Sequence, residues 1–325
     1  MSTTVSPDSI LKELAALWTQ EGKQGDAGVL RACSMTLLVL AEVEEDAAAL
    51  TETMAALMPE HPARSILIRV HRDGERAMSE RVYQQCWKPF GQRQQICCEQ
   101  IELNASDAAL GDLRSVILPL AVPDLPVILW CRSLRLVRHP EFGAIASNAA
   151  KVVIDSAPSE DATDSIARMA DSVHRGGLFA DLAWTRLTRW RETLARLFEN
   201  RETLARLPEV NSVTVNFGPG YETAAWYLAA WAAGALETVG KTVTPALGPQ
   251  EESLRLELSG DGFHVALWRE DDRLIAVVND QSNCTNLPRP SDYLLMREEL
   301  GIVRRDEVFE RTLAAAARLA GASRS

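Results

Sequence analysis

The sequence predicts an α/β N-terminal domain with a mainly parallel sheet over residues 1–157, followed by an α+β C-terminal domain over residues 158–325. Three observations lead there. In the first half, short apolar runs rich in β-branched residues alternate with helical patterns, the order that buries parallel strands between helices. In the second half, several strand-like runs follow one another, which suits antiparallel pairing. A chain of 325 residues with 46% apolar and 24% charged residues is long enough for about two cores.

Ser6 as N-cap and Pro7 at N1 open an amphipathic helix whose Ile10, Leu14, Leu17 and Trp18 recur at helical spacing before the breaker run 21–25. Arg31–Ala41 is too short for an uncapped helix and predicts a buried strand. Glu45–Met58 is helix-like, Pro59 and Pro62 end it, and Ser65–Val70 predicts a second strand, completing a β-α-β unit. Residues 71–93 are polar, rich in Arg and Gln, and are expected to be a connecting loop before the strand Gln95–Leu103. Ser106 or Asp107 can cap a helix running to about Leu118, after which Pro119, Pro123 and Pro126 enforce extended chain up to the strand Val127–Trp130. A helix near Glu141–Ala149 and the strand Val152–Asp155 complete the alternation.

The polar, turn-rich stretch 157–164 marks the boundary. Beyond it the pattern predicts a helix Asp164–Val173, a break at Gly176–Gly177, and the stretch Asp181–Glu192 leading into a helix. Arg-Glu-Thr-Leu-Ala-Arg-Leu stands at 191–197 and again at 201–207. Ten residues is about 2.8 helical turns, so the copies point to different faces, a local echo and not a solenoid repeat. A strand Ser212–Phe217, an apolar helix Tyr221–Leu236, the strand-like runs Ser253–Leu258, Phe263–Trp268 and Leu274–Val278, and two C-terminal helices follow.

Charge and motifs exclude more than they assign. The formal charge of -11 repels phosphate backbones and anionic lipid, so neither nucleic-acid nor membrane binding is expected. No apolar run approaches the ~20 residues that span a bilayer, and the start of the chain has no basic region followed by an apolar stretch, so the expected location is the cytoplasm. The six cysteines show neither C-x-x-C spacing nor the density of a disulfide scaffold and are expected to be reduced thiols. Cys97 and Cys98 stand side by side in a predicted strand, which sends their side chains to opposite faces. Gly240-Lys241-Thr242 has the tail of a phosphate-binding loop without its first glycine or its preceding strand. Phe217-Gly-Pro-Gly-Tyr221 joins a strand to a helix but lacks a dinucleotide fingerprint, so tight-turn chemistry explains it better. His71-Arg72-Asp73 has no kinase-like company, the five histidines have no metal-ligand spacing, and no Gly-x-Ser-x-Gly occurs. No catalytic residue, cofactor site or metal site is therefore assigned.

Eight tryptophans are the unusual feature, and Trp184 and Trp190 lie among Arg186, Arg189 and Arg191. Tryptophan and arginine dominate the centres of protein interfaces, and they also build buried networks; here the buried alternative pairs the arginines with Asp181 and Glu192. Two stretches carry a resemblance. Leu118-Pro-Leu-Ala-Val-Pro-Asp-Leu-Pro-Val-Ile-Leu-Trp130 and Asp181-Leu-Ala-Trp-Thr-Arg-Leu-Thr-Arg-Trp-Arg-Glu192 resemble signature blocks of the glucose-6-phosphate dehydrogenase assembly proteins, the OpcA family. Shorter echoes are Arg31–Leu37, His61–Arg64, Cys97–Ile101 and Val153–Ser156.

That resemblance implies a non-catalytic partner that binds glucose-6-phosphate dehydrogenase and promotes its assembly or activation in the oxidative pentose phosphate pathway. The residues it singles out for partner binding are Trp184, Arg186, Trp190, Arg191, Pro123, Asp124 and Trp130. Three features depart from the family pattern: Arg189 stands where Pro is common, Cys131 where a second Trp is common, and 201–207 duplicates a segment. The redox-responsive cysteines of cyanobacterial members have no matching C-terminal pair here, only Cys284, so that regulation is not expected. The alternatives are a sugar-phosphate or nucleotide-binding α/β enzyme with a site at the C-terminal ends of its strands, near Asp124 or Asp155, and a thiol-based redox sensor.

Overall fold

The computed structural model describes residues 5–24, 29–72, 74–89, 95–248, 253–302 and 304–323. Gly25 and Asp73, used in two of the readings above, lie outside the described residues. The chain divides into two compact units, Met1–Ile154 with Asp292–Gly301, and Asp155–Ser291 with Ile302–Ser325. The expected division at residue 157 stands three residues beyond this one, and the helix Asp292–Gly301, counted there with the C-terminal domain, packs with the N-terminal unit.

The N-terminal unit contains α1 (Pro7–Gln24), β1 (Val29–Arg31), β2 (Met35–Glu42), α2 (Ala47–Leu57), β3 (Ala63–His71), β4 (Met78–Trp87), β5 (Gln95–Ser106), α3 (Leu110–Leu120), β6 (Val127–Cys131), α4 (Leu134–Val137), α5 (Phe142–Ala146) and β7 (Lys151–Ile154). Its sheet runs β1-β5-β3-β2-β6-β7, all parallel, with β4 antiparallel on β5. All eight residues of β2 are buried, which is why its middle, Leu37–Ala41, is continuously apolar instead of alternating. Asp46 caps α2 by accepting from Ala48 N at 2.8 Å and Ala49 N at 3.3 Å. Trp18 fastens α1 to the sheet by donating to Glu99 Oε1 at 2.6 Å, and Arg64 closes on the other oxygen at 2.6 Å.

Two expectations are corrected here. The connecting loop 71–93 contains β4, an edge strand whose side chains are mostly half-buried or exposed and so lack an apolar run. The cysteines are not all reduced: Cys86 and Cys97 face each other in the β4–β5 register and form a disulfide, with Cα atoms 4.1 Å apart. Cys97 and Cys98 are both buried because both faces of β5 are covered, and burial pushes the Cys98 thiol up to about 11. A crosslink closing so short a loop is worth ~2–3 kcal/mol. Adding reductant is therefore expected to lower the Tm of the N-terminal unit; identical melts with and without it would show that the crosslink adds no stability.

The C-terminal unit contains α6 (Ala162–His174), β8 (Phe179–Asp181), α7 (Leu182–Thr185), α8 (Thr188–Leu197), α9 (Arg201–Ala205), β9 (Val210–Asn216), α10 (Glu222–Glu237), β10 (Ala246–Gly248), β11 (Arg255–Gly260), β12 (Phe263–Glu270), β13 (Arg273–Val278) and β14 (Gln281–Asn286). After the excursion of α11 (Asp292–Gly301) onto the first unit, α12 (Glu307–Ser323) ends it. The sheet order is β10-β9-β11-β12-β13-β14, antiparallel except for β10 beside β9, an α+β arrangement. Gly260 sits at a register shift so tight that a Cβ there would lie 1.8 Å from the Glu209 carbonyl oxygen. β14 escaped the sequence reading because all six of its residues are exposed and all but Cys284 are polar.

Candidate functional site

In the C-terminal unit, the block 181–192 is folded around a buried carboxylate. β8 ends at Asp181, whose side chain caps α7 by accepting from Ala183 N at 2.9 Å, and the same oxygen accepts from Ser156 N at 3.0 Å. The other oxygen accepts from the Tyr227 hydroxyl at 2.8 Å and from the Ser156 hydroxyl in a short hydrogen bond. Thr223 Oγ1, one turn before Tyr227 on α10, donates to the Ser156 carbonyl at 3.1 Å. Asp181, Tyr227 and Ser156 are each 0% exposed. Burial, with the neighbouring charge of Asp155, pushes Asp181 up to about 6, against the pull of its hydrogen bonds from Ser156 and Ala183.

Arg186 does not pair with Asp181. It grips Asp155 with both arms, Nη1 to Oδ1 at 2.7 Å and Nη2 to Oδ2 at 2.6 Å, the fork geometry that suits a carboxylate. Trp184 is buried, its indole N–H directed to Asp306 Oδ2 at 3.3 Å and its ring packed against Tyr227 and Phe309. The Arg191 guanidinium lies 3.4 Å from the Trp184 ring centroid and donates to the Trp184 carbonyl at 2.9 Å. Trp190 and Leu194 form the buried face of α8. Arg189 is the exposed member, paired with Glu192 at 2.8 Å; α8 begins at Thr188 without the proline common at position 189. The motif is thus assembled largely inward, with Tyr227, Thr223, Asp306 and Phe309 as partners the sequence reading missed. The i, i+4 spacing of Thr223 and Tyr227 was visible, but nothing linked it to residues 156 and 181.

In the N-terminal unit, Pro123 and Asp124 are exposed in the turn before β6, where Asp124 takes a positive φ of 63°. Val122 N donates to Thr36 Oγ1 at 2.9 Å and Thr36 N to the Pro126 carbonyl at 2.9 Å, so the turn sets β6 in register beside β2. Asp124 therefore precedes its strand and lies at the opposite end from where an open α/β sheet binds ligands, which removes it from the alternative enzyme site. Trp130 is buried near the far end of β6, with the Arg132 guanidinium 4.7 Å from its ring centroid. Cys131 beside it is buried, its thiol pushed up to about 12.

The order in which strands are added reverses between β2 and β6, so their C-terminal ends form the switch point at which such sheets hold nucleotides. Here that place carries Glu42, Glu44, Glu45 and Asp46 and its own ion pairs. Arg132 binds Glu45 and Asp292 at 2.6 Å each; Arg135 binds Glu42 at 2.8 Å and Asp107 at 2.6 Å. Burial opposes ionisation of Glu42, but hydrogen bonds from Arg135 and Ser133 and the charge of Arg72 outweigh it and hold the carboxyl below its usual range. The amides that would cradle a phosphate at the N-terminus of α2 are taken by Asp46. Among the described residues no group of three or more His, Cys, Asp or Glu is placed to hold a metal ion, and no helix is long and apolar enough to cross a membrane.

Two family models match the chain: the glucose-6-phosphate dehydrogenase subunit N-terminal domain over residues 54–171 and the corresponding C-terminal domain over residues 178–313. The OxPP cycle protein OpcA of Nostoc punctiforme is 30% identical over 142 residues, 44% of this chain and 30% of that protein. The protein of the same name from Synechococcus elongatus is 26% identical over 222 residues, 67% of this chain and 47% of its own length. The chain thus spans less than half the length of these relatives. Among solved structures, a mutant 3-ketoreductase from Actinomadura kijaniata aligns with a TM-score of 0.49 at 12% identity, covering 89% of this chain and 97% of that one.

Proposed function

Since the chain belongs to the OpcA family of glucose-6-phosphate dehydrogenase assembly proteins, matched by its models from residue 54 to 171 and from 178 to 313, we propose that it is a non-catalytic partner of that dehydrogenase. It binds the enzyme in the cytoplasm and favours its assembled, active form, at the entry to the oxidative pentose phosphate pathway. The observation that carries the reading is the match of both domain models along one chain. The switch point supports it: the crevice that serves as a site in α/β enzymes is filled by the protein's own carboxylates and arginines.

Activation without chemistry is linkage. A protein that binds the active state of an enzyme tenfold better than the resting state shifts that equilibrium by ~1.4 kcal/mol. Reciprocity requires the enzyme's substrate to tighten the complex by the same factor. The family motif acts from within: Trp184, Trp190 and Arg191 hold the C-terminal unit in shape, and Arg186 fixes Asp155 at its start. In the other block Pro123 and Asp124, in the turn before Trp130, are exposed and able to touch a partner, as are Leu118 and Pro119.

Titrating the protein into purified glucose-6-phosphate dehydrogenase, with and without glucose 6-phosphate, tests this. Co-elution, raised activity and tighter binding in the presence of substrate are expected. Equal affinity for resting and substrate-saturated enzyme would reduce the role to a passive scaffold, and no complex at all would end the proposal.

A further inference from the structure

The six-stranded sheet of the C-terminal unit has two different faces. One carries the buried Val213, Val215, Leu256, Leu258, Val265, Leu267, Leu274 and Ala276, and with Phe263 it meets Phe198, at the end of α8. The other alternates with it and is mostly half-exposed, apart from the buried Ala266. Strand register arranges its central residues in two adjacent rows. Arg255, Trp268 and Ile275 are directly paired across β11, β12 and β13, and so are Glu257, Ala266 and Val277 in the neighbouring row.

These rows complement each other. A two-fold axis lying in the plane of an interface and running across the strands, between the rows, would bring each row of one copy over the other row of its partner. Arg255 and Glu257, paired with each other at 2.7 Å within the chain, then each meet the opposite charge of the partner copy, Trp268 lies over the position of the buried Ala266, and Ile275 faces Val277, each contact occurring twice, as an isologous interface requires. The face is locally balanced in charge although the chain as a whole carries -11, so self-association there meets no local repulsion. Six strands spaced by about 4.8 Å and about six residues long give a face of roughly 24 by 20 Å. With side-chain relief, that falls at the lower end of specific interfaces, about 600 Å2 per partner.

We propose that this outer face is the surface on which a second copy of the chain docks, sheet on sheet, to form a two-fold dimer. The inference is independent of the dehydrogenase reading, because the test uses the protein alone. Sedimentation velocity over a concentration series is expected to show a reversible monomer–dimer equilibrium. Trp268→Glu, which replaces a large apolar contact by a charge at the centre of the face, is expected to weaken association roughly tenfold or more. Arg255→Glu and Glu257→Arg are each expected to weaken it, and the double swap to restore it, with melting curves confirming that every variant is folded. Because Arg255 and Glu257 also pair within one chain at 2.7 Å, the readout specific to the interface is a mixture of the two single variants, which is expected to associate more tightly than either variant alone. A wild-type chain that stays monomeric throughout the series would overturn the proposal, as would a dimer indifferent to all three single variants. A chain that is monomeric alone, yet loses dehydrogenase binding through Trp268→Glu, would also overturn it and assign the face to the enzyme.

Discussion

Lys151→Met is expected to destabilise the N-terminal unit by ~3–5 kcal/mol, while the double variant Lys151→Met/Glu299→Leu is expected to recover most of that loss. Lys151 opens β7, and its ammonium, 7% exposed, donates to Glu299 Oε2 and to the Glu299 carbonyl, both at 2.8 Å. Glu299 belongs to α11, a helix far along the chain that packs with this unit. Removing the lysine takes the paired cation away from a carboxylate held in a poor solvent, and that desolvation penalty is the origin of the large figure. Removing both leaves no charge to solvate, so the double variant separates the pair's net worth from the cost of breaking it. Besides its buried Leu295, Met296 and Leu300, α11 has polar anchors that are exposed or half-buried, among them Arg132 to Asp292 at 2.6 Å, and Tyr293 and Arg297 to Glu60 at 2.9 Å each. Surface pairs of this kind contribute about 0–1 kcal/mol each and do not compensate. Urea denaturation gives the stabilities, and hydrogen exchange over 292–301 shows whether the helix is released first. A single variant within ~1 kcal/mol of wild type would mean that water reaches the pair.

The sequence showed those parts of the fold in which local pattern and burial coincide. β2 is apolar over Leu37–Ala41 and buried throughout; α10 is a strongly apolar helix and is buried along most of its length. What escaped were elements defined by pairing alone. β4 and β14 are edge strands with polar, exposed positions, and their only mark is the ladder they make with a neighbour. Cys86 and Cys97 sit in such a ladder, and their crosslink depends on a register that residue spacing does not reveal. The site behaved likewise. Trp184, Trp190 and Arg191 stand out because they cluster in sequence, but the buried reading of the block pairs its arginines with Asp181 and Glu192, whereas Arg186 binds Asp155, which lies 31 residues away. The ion pairs at the switch point join residues that no periodicity relates.

The Asp181 series is expected to give the other large effect, and it divides by pH. The folded form holds the Asp181 proton more tightly than the unfolded chain, with a pKa of about 6 against the ordinary 3.8. As pH rises through that window the unfolded chain ionises first, so this group's contribution to stability falls by about 3 kcal/mol between pH 4 and 6 and then levels off. Asp181→Asn removes the titration while keeping the network. Its carbonyl oxygen can accept from Ser156 N and Ala183 N, and its amide can donate to the Ser156 and Tyr227 hydroxyls, which are free to turn. The asparagine variant should therefore match or exceed wild type at pH 7, and the gap between the two should close toward pH 4. Asp181→Ala strands two buried backbone donors at about 1–3 kcal/mol each and removes the α7 cap, so it should be several kcal/mol less stable at every pH. Chemical denaturation of all three proteins across this range decides the matter. Parallel wild-type and asparagine curves would mean that Asp181 keeps one protonation state throughout, and that its four donors outweigh the burial that pushes its pKa up.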